Sequence, residues 1–173
     1  MLALAEASLA HAKLGGTQRI EDILAEDAGE SLNLSLEQRF MEALQDNAFE
    51  LHYQPQVDTR SGSVVGAEAL VRWEHPEKGM IPPFRFIPLM EEMGFIGALG
   101  EWVLREACTQ MKAFEAEGLM LPKVSVNVSA LQFNTAFIRT IKAVLEETDL
   151  APAKLELELT EGVVMADVNA TLE

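Results

Sequence analysis

Val65-Gly66-Ala67-Glu68-Ala69-Leu70-Val71-Arg72-Trp73 decides how this chain is read. It has the apolar, β-branched character of a buried strand, yet it carries an acid, Glu68, and ends in Arg72-Trp73. A carboxylate in such a strand is costly unless a cation or a hydrogen-bond donor meets it. On its own, Glu68 is as well explained by a salt bridge in the core. Two later strand-like runs carry the same kind of chemistry. Val124-Ser125-Val126-Asn127-Val128-Ser129 brings an Asn, and Leu155-Glu156-Leu157-Glu158-Leu159-Thr160-Glu161 brings more Glu. Hard oxygen donors converging from several strand ends are what a Mg²⁺ or Mn²⁺ site needs.

Outward from this stretch, the pattern predicts an α/β fold. Phe49 to Val57 reads as a strand, and Thr59-Arg60-Ser61-Gly62-Ser63 as a polar turn before a second strand begins at Val64. A short Gly-containing turn between strands implies a hairpin, so the first strand should run antiparallel to the second. Trp73-Glu74-His75-Pro76-Glu77-Lys78-Gly79 reads as a loop closed by Ile81-Pro82-Pro83. Helices follow at about 84–93, stopped by Gly94, and at about 99–116, ended by Gly118. The Asn127 strand, a helix near 136–147, a turn at Asp149-Leu150-Ala151-Pro152 and the Glu158 strand complete the alternation. Strands separated by helices imply a parallel sheet with its active groups at the strand C-termini. Four strands cannot close an eight-stranded barrel, so the expected fold is about half of one.

The first 34 residues read as an alanine-rich helix and an acidic connector. Ser35 with Gln38 offers a capping box that opens a helix to about Asn47, so a domain is expected over 35–173. The 173 residues suffice for one core, and hardly for two. A net charge of −15 argues against a nucleic-acid polymer as partner, although a cation and an arginine can still attract a small anion. Cys108 is the single cysteine and excludes a disulfide within the chain; it fits a buried helix position and a reducing, cytoplasmic setting. No apolar run reaches the length of about eighteen residues that a spanning helix needs, so no membrane contact is expected of this segment. His52 and His75 sit in no metal-ligand spacing and read as exposed or hydrogen-bonded.

Glu68-Ala69-Leu70 with Val71-Arg72-Trp73 resembles the signature of the EAL domain family. The other landmarks occur in the same order: Tyr53-Gln54-Pro55, Phe86-Ile87-Pro88, Glu91-Glu92-Met93-Gly94, Val126-Asn127-Val128-Ser129 and Glu158-Leu159-Thr160-Glu161. The resemblance spans about Leu36 to Glu173. It implies a TIM-barrel-like domain that hydrolyses cyclic di-GMP to pGpG with Mg²⁺ or Mn²⁺. It implies Glu68, Asn127 and Glu158 as metal ligands, Glu68 also being catalytic, and Glu161 as the brace of a catalytic loop. Arg72 would hold a phosphate, with Gln54 and Leu70 against the bound nucleotide. Read from pattern alone, Asn127 serves equally as an amide bonded to nearby backbone, and Glu158 as an outward salt-bridging residue.

A full EAL domain continues past the point reached by Glu173, with paired aspartates, a lysine, a further glutamate and a glutamine. Without them the chain is expected to be inactive by itself. The resemblance further implies a homodimer, and Leu9 to Arg19 resembles the last helix of a GGDEF domain. The alternative expectation is a catalytically silent EAL module that binds cyclic di-GMP or a protein partner.

Overall fold

A computed structural model describes residues 36–76 and 79–159, with side chains from Arg39 onward. The expected appendage at 1–34, the Ser35 capping box and Glu161 lie outside the described residues. The described residues form two compact units, one holding the chain up to Glu50 together with Arg72–Phe95, the other Leu51–Val71 and the chain from Ile96 on.

The strand order is β1 (Phe49–Val57), β2 (Val64–His75), β4 (Val124–Val128), β5 (Leu155–Leu159), the larger unit holding β1 from Leu51, β2 up to Val71, and all of β4 and β5. β1 and β2 are hydrogen-bonded neighbours joined by residues 58–63 alone, too few for a parallel crossover, so they form the expected antiparallel hairpin. Its turn is closed by the Asp58 amide on the Ser63 carbonyl at 2.9 Å, with Gly62 at φ +71°. The Asp58 carboxylate accepts from the Arg60 and Ser61 amides, which hold its pKa below the usual range. β4 pairs parallel with both β2 and β5, as the alternation of helices and strands required.

α3 (Ile96–Ala116) covers one face of this sheet with Ile96, Leu99, Val103, Leu104, Ala107, Cys108 and Met111, the spacing of a single helix stripe. Tyr53 on β1 packs edge-on against Phe114 of the same helix at 5.6 Å, and burial raises its phenol pKa. α4 (Thr135–Thr148) begins at Asn134, whose side chain accepts from the Phe137 amide, and ends at Asp149 with φ +53°. Arg105 of α3 reaches Glu147 at 3.1 Å, and Lys112 donates to the Asp149 carbonyl at 3.0 Å. A 3₁₀ turn at Ala130–Gln132 was not foreseen. It is a full capping box, with the Ser129 amide donating to Gln132 Oε1 at 3.1 Å. The Gln132 amide lies directly against Gly100 of α3, where a Cβ would come within 1.6 Å of Nε2.

The smaller unit is an aromatic cluster around Trp73, which is 3% exposed. Phe40 of α1 (Leu36–Gln45), Phe49 and Phe86 of α2 (Pro83–Glu92) surround its ring at 5.4, 5.5 and 5.7 Å. α1 ends at Gln45 and is followed by Asn47 at φ +55°, close to the expected limit. Pro88 sits within α2, where it lacks the N–H that would otherwise bond to the carbonyl of Phe84. The expected loop after Trp73 is corrected here. β2 continues to His75 and pairs antiparallel with β3 (Gly79–Ile81), Trp73 facing Ile81 and His75 facing Gly79. Three residues are too few to show a period in sequence.

Two outcomes follow from this packing. Gly100→Ala should lower stability by about 1–3 kcal/mol through overpacking, whereas Gly97→Ala, on the same helix with nothing within 4 Å, should leave the melting temperature unchanged or raised. Equal effects in thermal unfolding would contradict the Gln132 contact. Burial pushes the Cys108 thiol up to about 11, so its thiolate fraction at pH 8 is on the order of 10⁻³. Iodoacetamide should therefore label the chain in urea and not in the native state, as read by intact mass.

Candidate metal and nucleotide site

The candidate ligands are placed by strand register. In a parallel pair, facing residues project to the same side, and successive residues alternate sides. Glu68 faces Ser125, which faces Glu156, and one row further along Asn127 faces Glu158. These residues therefore share one face of the sheet. The opposite face holds Ala67, Ala69, Val124, Val126 and Val128, all at most 3% exposed. The alternation that buries the apolar residues against α3 is what turns the acids and amides the other way.

On the polar face, Asn127 Nδ2 donates to Glu68 Oε1 at 2.7 Å. The two residues are 59 positions apart in sequence, and the parallel pairing of β2 with β4 brings them into contact. Asn127 is exposed and bonded to an acid, so the reading of a buried amide turned to adjacent backbone is corrected. Glu158 is half-buried and stands beside Asn127 in the register. Its Oε1 accepts from Gln56 Nε2 at 3.4 Å. Leu70, two residues beyond Glu68, lies half-buried on the same face of β2. Gln54 is exposed on β1 and shares a face with Gln56 by alternation. Arg72 falls in the smaller unit, half-buried on β2 immediately before Trp73. Glu161 lies outside the described residues.

Sequence reasoning missed the tier beside these residues. Gln56 Nε2 also donates to Ser125 Oγ at 3.3 Å, and Ser125 is fully buried. Lys123 pairs with Glu156 on the same face. A Cβ on Gly66 would lie 2.9 Å from Lys123 Cγ and 3.1 Å from Gln56 Oε1, so the glycine leaves room for both side chains. The available signal was the period of two: Gln54 and Gln56 on β1, and Ser125 and Asn127 on β4 with Lys123 just before it, put a polar group at each alternate position.

Among the described residues, no three His, Cys, Asp or Glu side chains gather as a metal centre. The donor set is instead two carboxylates with an amide between them. Glu68 and Glu158 offer anionic oxygens, and Asn127 can offer its carbonyl oxygen when the amide turns. Those donors fit a hard divalent cation and would not select a soft one.

A family model described as the EAL domain matches residues 37–173. The chain is 40% identical over 172 residues to the bifunctional diguanylate cyclase/cyclic di-GMP phosphodiesterase MucR of Pseudomonas aeruginosa, covering 97% of this chain and 25% of MucR. It is 39% identical over 140 residues to the cyclic di-GMP phosphodiesterase NbdA of the same organism, covering 80% of this chain and 18% of NbdA. This chain thus spans a quarter or less of these relatives. Its structure resembles that of the MucR phosphodiesterase in complex with c-di-GMP, with a TM-score of 0.73 at 41% identity over 79% of this chain and 56% of that one. The EAL enzyme Bd1971, in its cAMP- and cyclic-di-GMP-bound form, gives 0.65 at 28% identity over 95% and 43%. The mixed α/β arrangement is accordingly that of a TIM-barrel-like fold, and the chain belongs to the EAL domain family.

Proposed function

We propose that this chain supplies the cation- and nucleotide-binding face of a phosphodiesterase domain that hydrolyses cyclic di-GMP to pGpG with Mg²⁺ or Mn²⁺. The observation that carries the proposal is the contact of Asn127 with Glu68, together with Glu158 beside Asn127 in the register. Two relatives described as cyclic di-GMP phosphodiesterases, at 40% and 39% identity, support the substrate.

In this reading Glu68, Asn127 and Glu158 would hold the cation, their pooled negative charge making it the natural occupant between them. The chemistry such an ion would supply there is activation of the attacking water and offset of charge on the leaving oxygen. Arg72, with its planar fork of donors, holds a phosphate of the substrate in two parallel hydrogen bonds. Gln54 supplies hydrogen bonds to the nucleotide, and Leu70 an apolar surface for it. By the family resemblance, Glu161 would brace a catalytic loop.

The domain runs from residue 35 onward, with a GGDEF-like tail before it. The MucR match supports this, since it extends over 97% of the chain and so reaches well beyond the family match that begins at residue 37. A homodimer through EAL domains and a cytoplasmic setting belong to the same proposal. Among the described residues no helix is long and apolar enough to cross a membrane.

The test is turnover of cyclic di-GMP by the protein that bears this chain, with Glu68→Gln beside it. The wild type should form pGpG with Mg²⁺ or Mn²⁺, and the variant should lose at least about 100-fold in kcat. Binding of cyclic di-GMP without turnover in any divalent cation would instead establish a silent module, and failure to bind at all would remove the nucleotide reading.

A further inference from the structure

We propose that Gln56 is a positioning residue that fixes the Glu158 carboxylate for cation binding, an inference that rests on the cation site proposed above. Glu158 is a half-buried acid on a five-residue strand, with Leu157 and Leu159 directed to the other side. A glutamate has three rotatable bonds, and a ligand left free to turn must be ordered at the moment the metal binds. The strand alone fixes where the side chain starts and not where the carboxylate ends. A donor on the carboxylate supplies that missing restraint, as partners of metal ligands commonly do.

Gln56 is the donor in place. Its Nε2 is 3.4 Å from Glu158 Oε1 and 3.3 Å from Ser125 Oγ. The fully buried Ser125 hydroxyl anchors the amide, and the amide reaches the acid on the next strand over. Its other end is also confined, since Gln56 Oε1 occupies the space over Gly66, where a Cβ would be only 3.1 Å away. Lys123, a cation on this face, is engaged by Glu156. A neutral amide suits the task better than a lysine would. It orients the carboxylate without neutralising the charge that attracts the cation.

The experiment is Mn²⁺ binding, without nucleotide, by electron paramagnetic resonance titration of the whole protein and its variants. Gln56→Met keeps the length and volume and removes the donor; Gln56→Asn keeps an amide one methylene short of its partners. Each should weaken Mn²⁺ binding about tenfold, and saturating Mn²⁺ should restore kcat with KM for cyclic di-GMP unchanged. In a Glu158→Ala background, Gln56→Met should cause no further loss, because Gln56 acts only through Glu158. Unchanged Mn²⁺ affinity in both Gln56 variants, or losses that add to that of Glu158→Ala, would overturn the proposal. If Glu158→Ala itself leaves Mn²⁺ binding intact, the ligand assignment fails instead, and the positioning role falls with it.

Discussion

The in-register parallel pairing of β4 with β2 and β5 is the constraint on which the rest depends. Successive strand residues face opposite ways, so one register buries Val124, Val126 and Val128 and presents Ser125 and Asn127 beside Glu68 and Glu158. A slip of one residue would exchange the two faces. Each of those three valines is at most 2% exposed, and bringing each back to water would cost about 1.5–3 kcal/mol. The valines thus hold the register, and the register assembles the acids. Packing on one face of the sheet sets the spacing of the polar groups on the other.

The polar face is also more fully built than a list of ligands conveys. The Asn127 amide answers the Glu68 carboxylate, the Gln56 amide answers Glu158, and Lys123 answers Glu156. Each of these three acids has a hydrogen-bond or ion-pair partner, which offsets part of the cost of gathering negative charge in a chain already at net −15. Gly66 contributes by being small, since a side chain there would compete with both Lys123 and Gln56 for the same space. In the smaller unit a different device operates. The Trp73 ring and its phenylalanine neighbours fix the end of β2, and that strand carries Arg72 immediately before the tryptophan.

Much of this was legible in the sequence because it is periodic. The alternation of Val124-Ser125-Val126-Asn127-Val128 declares a strand, and the apolar spacing along about 99–116 declares a helix, which in the structure begins earlier, at Ile96; Gly94 and Gly118, at φ +78° and +83°, mark helix ends where they were expected. β3 was missed because three residues carry no period. The contact of Gly100 with Gln132 joins two elements that no local pattern relates, although Ser129 with Gln132 shows the spacing of a capping box and was available to be seen. Glu68 and Asn127 were legible as chemistry from their strand positions and the order of the surrounding motifs. Gln56 and Ser125 were not, because their roles come from a hydrogen bond between strands 69 residues apart.

The most direct measurement of the central claim is anomalous diffraction at the manganese edge from crystals of this protein grown with Mn²⁺. A peak is expected on the polar face, with oxygens of Glu68, Asn127 and Glu158 at about 2.0–2.6 Å from the ion, the range for hard cations. A Mn²⁺ ion held by other residues, with Asn127 still donating to Glu68, would contradict it.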